Sequence, residues 1–220
     1  SWPSLSSSIR GLPDLLTLHL RSSWITGDLN ALNNCSKLQD LNLKKTSIGG
    51  DLRSLKHCTQ LQHLELGRKT TNTRKKSRRR MIIKGDLSSV SSCSSLKVLN
   101  LAYTRIKGDL SSLTKLKELE HLNLEKTPIG GHLKTLSNFT NIERLDLSFT
   151  DIEGELQDLQ KWRALKELCL RQTRVTGSLE DLDHARELQV LNLSDTGVVG
   201  NVAQLAAMKK LRQLDLRNTR

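Results

Sequence analysis

LQDLNLKKTSIGGDLRSLKHC, residues 38–58, is one turn of a pattern that runs the length of the chain. The frame returns in LKVLNLAYTRIKGDLSSLTKL from Leu96 and in IERLDLSFTDIEGELQDLQKW from Ile142. Its ruler is the Leu-x-Leu pair. The second leucine falls at Leu20, Leu43, Leu66, Leu101, Leu124, Leu147, Leu170, Leu193 and Leu216. Every step is 23 residues except Leu66 to Leu101, which is 35, one period plus a 12-residue insertion. Nine registers on one spacing define a repeat architecture.

Within each period, Leu-x-Leu reads as a short strand with both leucines inward and the residues between and beside them outward. The chain then turns at Gly50, Gly85, Gly108, Gly131, Gly154, Gly177 or Gly200. The residue after the glycine is Asp28, Asp51, Asp86 or Asp109, with Glu155 in the same slot. An acidic side chain there is suited to cap a short helix or 3₁₀ turn on the return side. One such coil cannot bury its leucines alone, whereas stacked coils bury them mutually. The expectation is an α/β solenoid, a right-handed superhelix with a parallel sheet on its concave face. It is a single domain over 1–220 of about nine repeats.

The frame LxxLxLxxTxIxGDL is similar to the leucine-rich-repeat consensus, and its glycine turn is similar to the plant-type subclass. The resemblance covers essentially the whole chain. Two positions depart from it. The family's asparagine after the strand is replaced by Thr46, Thr104, Thr127, Thr150, Thr173, Thr196 and Thr219. The plant-type isoleucine-proline after the glycine is replaced by Asp-Leu or its variants. A hydroxyl both donates and accepts, so these threonines are expected to form a ladder bonding the backbone of adjacent coils.

The chain carries 35 Lys and Arg against 23 Asp and Glu, a formal charge of +12. Seven of the cations lie between Lys69 and Arg80 with no acid among them, which leaves the remainder at about +5. The charge is therefore local to the insertion at 69–80, placed by the frame between the strand and the glycine turn. Three readings remain open: a solvated loop, a phosphate-binding segment, and a nuclear-localisation signal or contact for an acidic protein. In the second, Arg74, Lys75, Lys76, Arg78, Arg79 and Arg80 neutralise RNA or another polyanion. No aromatic is interleaved, so base stacking is not expected.

Two columns follow the strand on its outward side. One runs from Arg21 through Ala102, Glu125 and Ser148 to Arg171 and Arg217. The next contains Lys45, Arg68, Tyr103, Lys126, Phe149 and Gln172. Tyr103 and Phe149 are two of three Phe or Tyr residues in the chain. Exposed aromatics on a polar sheet suit protein contact. Tyr103, Lys126, Phe149, Arg171 and Arg68 are thus the candidate protein-binding residues. The residue between the strand leucines is mostly Asn or Asp and reads as a solvated spine whose side chains bond one another.

No catalytic constellation is present. Cys35, Cys58 and Cys93 share a frame slot with Leu116, Phe139, Trp162, Ala185 and Met208, which marks an interior position. Cys169 lies outward on the sheet without a neighbouring histidine to act as base. His63 and His121 share a column but sit two coils apart, too far to bind one metal ion directly. No cofactor or metal is expected, and no apolar run of membrane-spanning length exists.

The expected function is a non-catalytic interaction scaffold binding another protein, an accessory subunit of a large complex among the possibilities. The alternatives are a nucleic-acid- or ribosome-associated protein and a receptor ectodomain fragment. Unpaired cysteines point to an intracellular, reducing compartment, with an extracellular location left open by sequons at Asn34, Asn138 and Asn192. The chain begins inside a return segment (Ile9, Leu12, Leu15) and stops just after a strand, which reads as a fragment of a longer protein.

Overall fold

The computed structural model describes Ser4, Leu5, Ile9 and residues 11–67 and 82–220. Nine three-residue strands carry the Leu-x-Leu pairs. They are Thr17–His19, Asp40–Asn42, His63–Glu65, Val98–Asn100, His121–Asn123, Arg144–Asp146, Glu167–Cys169, Val190–Asn192 and Gln213–Asp215. They pair in unbroken sequence order, all parallel, as one nine-stranded sheet. Residues one period apart stand opposite one another, as in Leu145 opposite Leu168. We number the coils 1 to 9 by these strands.

The sheet closes across the insertion without losing register. His63, Leu64 and Glu65 pair with Val98, Leu99 and Asn100, and the Leu66 amide donates to the Asn100 carbonyl at 2.8 Å. The insertion itself, Arg68 included, lies outside the described residues.

A second sheet was not expected from the sequence. Eight strands around the glycines, from Thr26–Asp28 to Gly197–Val199, pair in parallel on the other side of the coils. Their inward residues, Ile48, Ile83, Ile106, Ile129, Ile152, Val175 and Val198, are buried. The isoleucine that the frame shows as a lone apolar residue is the inner face of this sheet. Too little alternation surrounds it to read as a strand. Gly131 shows why glycine follows. Its φ is +114°, and a Cβ there would lie 2.9 Å from the Leu110 amide nitrogen of the preceding coil.

The return segments are 3₁₀ turns, and their caps match the acidic slot. Asp28, Asp51, Asp86 and Asp109 each accept from the backbone amide two residues on. His132 does the same through Nδ1, at 3.1 Å from the Lys134 amide nitrogen. Glu155 departs from the group: it makes no such bond to the amide two residues on and takes part in a capping box with Asp158.

Between the layers runs one aliphatic core, leucine-dominated, whose members from Leu29 to Val198 are almost wholly inaccessible. Each fully buried leucine contributes about 1.5–3 kcal/mol relative to an exposed one. The interior slot holds Cys35, Cys58, Cys93, Leu116, Phe139, Trp162, Ala185 and Met208, all buried. Burial pushes the Cys58 thiol up to about 12, with the Cys35 and Cys93 thiols adding to it. Cys93 reaches about 11 for the same first reason. These are core residues.

The threonine ladder forms, but within coils and not between them. The Thr127 hydroxyl donates to the carbonyl of Leu124 at 2.6 Å, and Thr46, Thr104, Thr150, Thr173, Thr196 and Thr219 repeat the bond three residues back. The hydroxyl holds the turn that leaves the strand.

Candidate functional site

That turn sets the geometry of the outward columns. Ser22, Lys45, Tyr103, Lys126, Phe149, Gln172, Asp195 and Asn218 all have positive φ, between 53° and 61°. A non-glycine residue in this region costs about 1–2 kcal/mol. Inter-coil hydrogen bonds compensate: the Tyr103 amide donates to Glu125 O, Lys126 to Ser148 O, Phe149 to Arg171 O and Gln172 to Ser194 O, at 2.8–2.9 Å. The left-handed residues therefore form a stacked rim along the nine-stranded sheet.

Four of the five sequence-selected protein-binding residues come together there. The Lys126 ammonium sits 5.1 Å from the Tyr103 ring centroid and 4.6 Å from that of Phe149. The Arg171 guanidinium stands 5.0 Å from the centroid of the same Phe149 ring. Cation and ring thus alternate across four coils. Tyr103 donates its hydroxyl to Glu125 at 2.6 Å. Burial first, then this carboxylate, pushes the phenol up to about 12, so it remains a donor at neutral pH. Arg171 Nε lies 3.4 Å from Asp195 Oδ2. Tyr103 and Phe149 are half-buried and Lys126 is exposed. Arg68, fifth of the group, and Arg74, Lys75, Lys76, Arg78, Arg79 and Arg80 lie outside the described residues.

The Asn/Asp column behaves differently from expectation. Most of its side chains bond the backbone two residues on. Asn42, Asn100, Asn123, Asp146 and Asn192 each accept through Oδ1 from the amide of Lys44, Ala102, Glu125, Ser148 and Ser194, at 3.0–3.2 Å. Asp215 makes the same bond to Arg217 and is further held by that guanidinium, which takes its carboxyl down to about 2. The column fixes the approach to the rim.

Sequence reading took from the column that opens each strand only its histidines, His63 and His121. Here Asp40, His63, Val98, His121, Arg144 and Glu167 stand in line. Polar members pair with one another or with the residue before the next strand, Arg144 with Glu167 at 3.4 Å and His121 with Glu143 at 3.9 Å, and Glu143 also pairs with Lys166 at 2.7 Å. The signal was available, since each lies two residues before the Asn/Asp column and shares its outward face. A shallow groove of about 250 Å³ runs over these two columns, from Lys44 and Glu65 past Asn100, Asn123 and Arg144 to Cys169. Gly67 stands close to the groove residue Asn100: a Cβ there would lie 2.2 Å from Asn100 Oδ1.

His63 and His121 flank Val98 on successive strands, two coils apart as the spacing implied. Among the described residues, no three His, Cys, Asp or Glu side chains gather as a metal site. No helix among them is long and apolar enough to cross a membrane.

No family model and no curated protein matches the chain. Solved structures do. The plant peptide hormone receptor RGFR1 in complex with RGF2 superposes with a TM-score of 0.80 at 21% identity, over 100% of this chain and 35% of that one. The leucine-rich-repeat ectodomain of the Arabidopsis receptor kinase HAESA, in complex with an IDA peptide hormone, gives 0.79 at 22% identity, over 95% and 34%. Internalin C2 of Listeria monocytogenes gives 0.69 at 22% identity, over 96% and 84%. The chain thus spans about a third of the two receptor chains. Two parallel strand ladders, a leucine core repeating every coil and these neighbours agree: the chain has a leucine-rich-repeat solenoid fold of plant-type-like form.

Proposed function

We propose that the chain is a non-catalytic recognition module that binds a peptide or protein segment along its nine-stranded sheet. Tyr103, Lys126, Phe149 and Arg171 are its anchors, with Arg68 added from its place in the same column. The carrying observation is the alternation of cation and ring over four successive coils beside an open groove. Large amphipathic side chains held in place before binding lose little entropy on contact. The hormone complexes of the receptor neighbours support the same class of partner. The test is to pan a random linear peptide library on the whole chain and measure the retained peptides against Tyr103→Ala and Phe149→Ala. Affinity is expected to fall about tenfold or more in each. Equal binding by both variants overturns the anchor assignment.

The insertion supports a second reading, contact with a polyanion. Exposed Lys84, Arg105 and Lys107 stand on neighbouring strands of the eight-stranded sheet just beyond it. Homopolymeric RNA retained by the whole chain, and released on deleting 69–80 or raising salt, is the expected result. Retention that survives the deletion overturns it.

Scaffold and receptor fragment differ in compartment. The buried thiols of Cys35, Cys58 and Cys93 support a reducing, intracellular one, and the receptor neighbours an extracellular one. Asn34 and Asn138 are exposed, so glycan on either in protein from its native source selects the receptor reading, and bare asparagines select the scaffold.

A further inference from the structure

We propose that the centre of the groove is a hydrogen-bond donor strip, built by Asn100 and Asn123, that reads the main-chain carbonyls of an extended peptide. This rests on the peptide-recognition reading and adds the polarity of the ligand. Each asparagine spends its Oδ1 on its own chain, on the amide of Ala102 at 3.1 Å and of Glu125 at 3.0 Å. An amide oxygen engaged this way fixes which end of the carboxamide is which. Neither Nδ2 makes a hydrogen bond among the described residues, and both side chains are half-exposed in the groove. Coils 4 and 5 are adjacent in the sheet, with Asn100 directly opposite Asn123, so the two amides stand about 5 Å apart.

Groove charge selects the kind of acceptor. Lys44 is paired with Glu65 at 3.0 Å and Arg144 with Glu167 at 3.4 Å. The cations that would draw a carboxylate are already matched by carboxylates. A neutral acceptor fits, and peptide carbonyls recur along any extended chain. Gly67 belongs to the same device: a Cβ there would collide with Asn100 Oδ1, so its absence lets the asparagine keep its orientation.

Within this column, Asn→Asp is an unusually clean substitution. Asp146 and Asp215 already occupy it and make the same bond to the backbone two residues on. Asn100→Asp with Asn123→Asp therefore keeps the turn and turns two donors into acceptors. The probe is a linear peptide selected from the library on the unaltered chain. Its affinity is expected to fall about tenfold or more in the double variant, beyond the modest loss of thermal stability from carboxylates brought beside Glu65 and Asp146, and its affinity for the unaltered chain is expected to fall little between low and high salt. Asn192→Asp, two coils beyond Asp146, is the control and is expected to bind nearly as the parent. Undiminished binding by the double variant overturns the donor strip while leaving the peptide-recognition reading intact. A steep salt dependence overturns the carbonyl assignment in favour of a carboxylate. Failure of the unaltered chain to select any peptide overturns the peptide-recognition reading, and this one with it.

Discussion

Phe149 is held at φ 60°, a conformation glycine adopts freely and phenylalanine does not. Its ring meets Lys126 and Arg171 and its amide is bonded to the next coil. Phe149→Gly relieves the backbone while removing the ring. The two effects offset, so unfolding free energy from urea titration is expected to stay within about 1 kcal/mol of the parent. Binding is expected to be lost. A variant that is both unstable and unable to bind would show that the ring serves the fold. Thr127 is the opposite case, since its hydroxyl serves the turn alone. Thr127→Val is expected to cost about 1 kcal/mol of stability with no change in binding. The columns carrying Phe149 and Thr127 were legible from the 23-residue step. The direction of the threonine bond was not, because a hydroxyl reaches its own coil and the next equally well on paper.

Each coil's elements follow from a few residues, and unequally so. The strand shows in Leu-x-Leu, and the 3₁₀ cap shows in the acid after glycine. Asp109→Ala removes the acceptor for the Ser111 amide and is expected to destabilise the chain by about 0.5–2 kcal/mol. Gly131→Ala is expected to cost more, because the new Cβ meets the Leu110 backbone nitrogen and φ stays positive. Denaturation midpoints of the two variants give the order directly. The eight-stranded sheet was hidden because its strands carry one inward isoleucine or valine beside a glycine, too little pattern for periodicity to act on. The groove was half legible. Its rim stood out by aromatics, but the paired charges of Arg144 and Glu167 blend into an ordinary polar face until register sets them side by side.

Across the molecule, one continuous core ties the coils together, and its thiols report on it. Cysteine ionises near 9 when unburied, against about 12 for Cys58 and about 11 for Cys93 in the fold. The folded state thus favours the protonated thiols. Their contribution is complete below pH 9 and is lost as pH climbs from 9 toward 12. Stability of the parent is expected to fall more steeply over that window than that of a Cys58→Ala, Cys93→Ala variant; parallel profiles would contradict the burial. The central claim, that ligand lies on the nine-stranded sheet, is tested most directly by photo-crosslinking a library-selected peptide to the unaltered chain and mapping the adducts by mass spectrometry. The account predicts adducts on Val98–Asn100, His121–Asn123 and Arg144–Asp146 and on the rim from Tyr103 to Phe149. Adducts confined to the return turns Leu110–Leu113 and Leu133–Leu136 would contradict it.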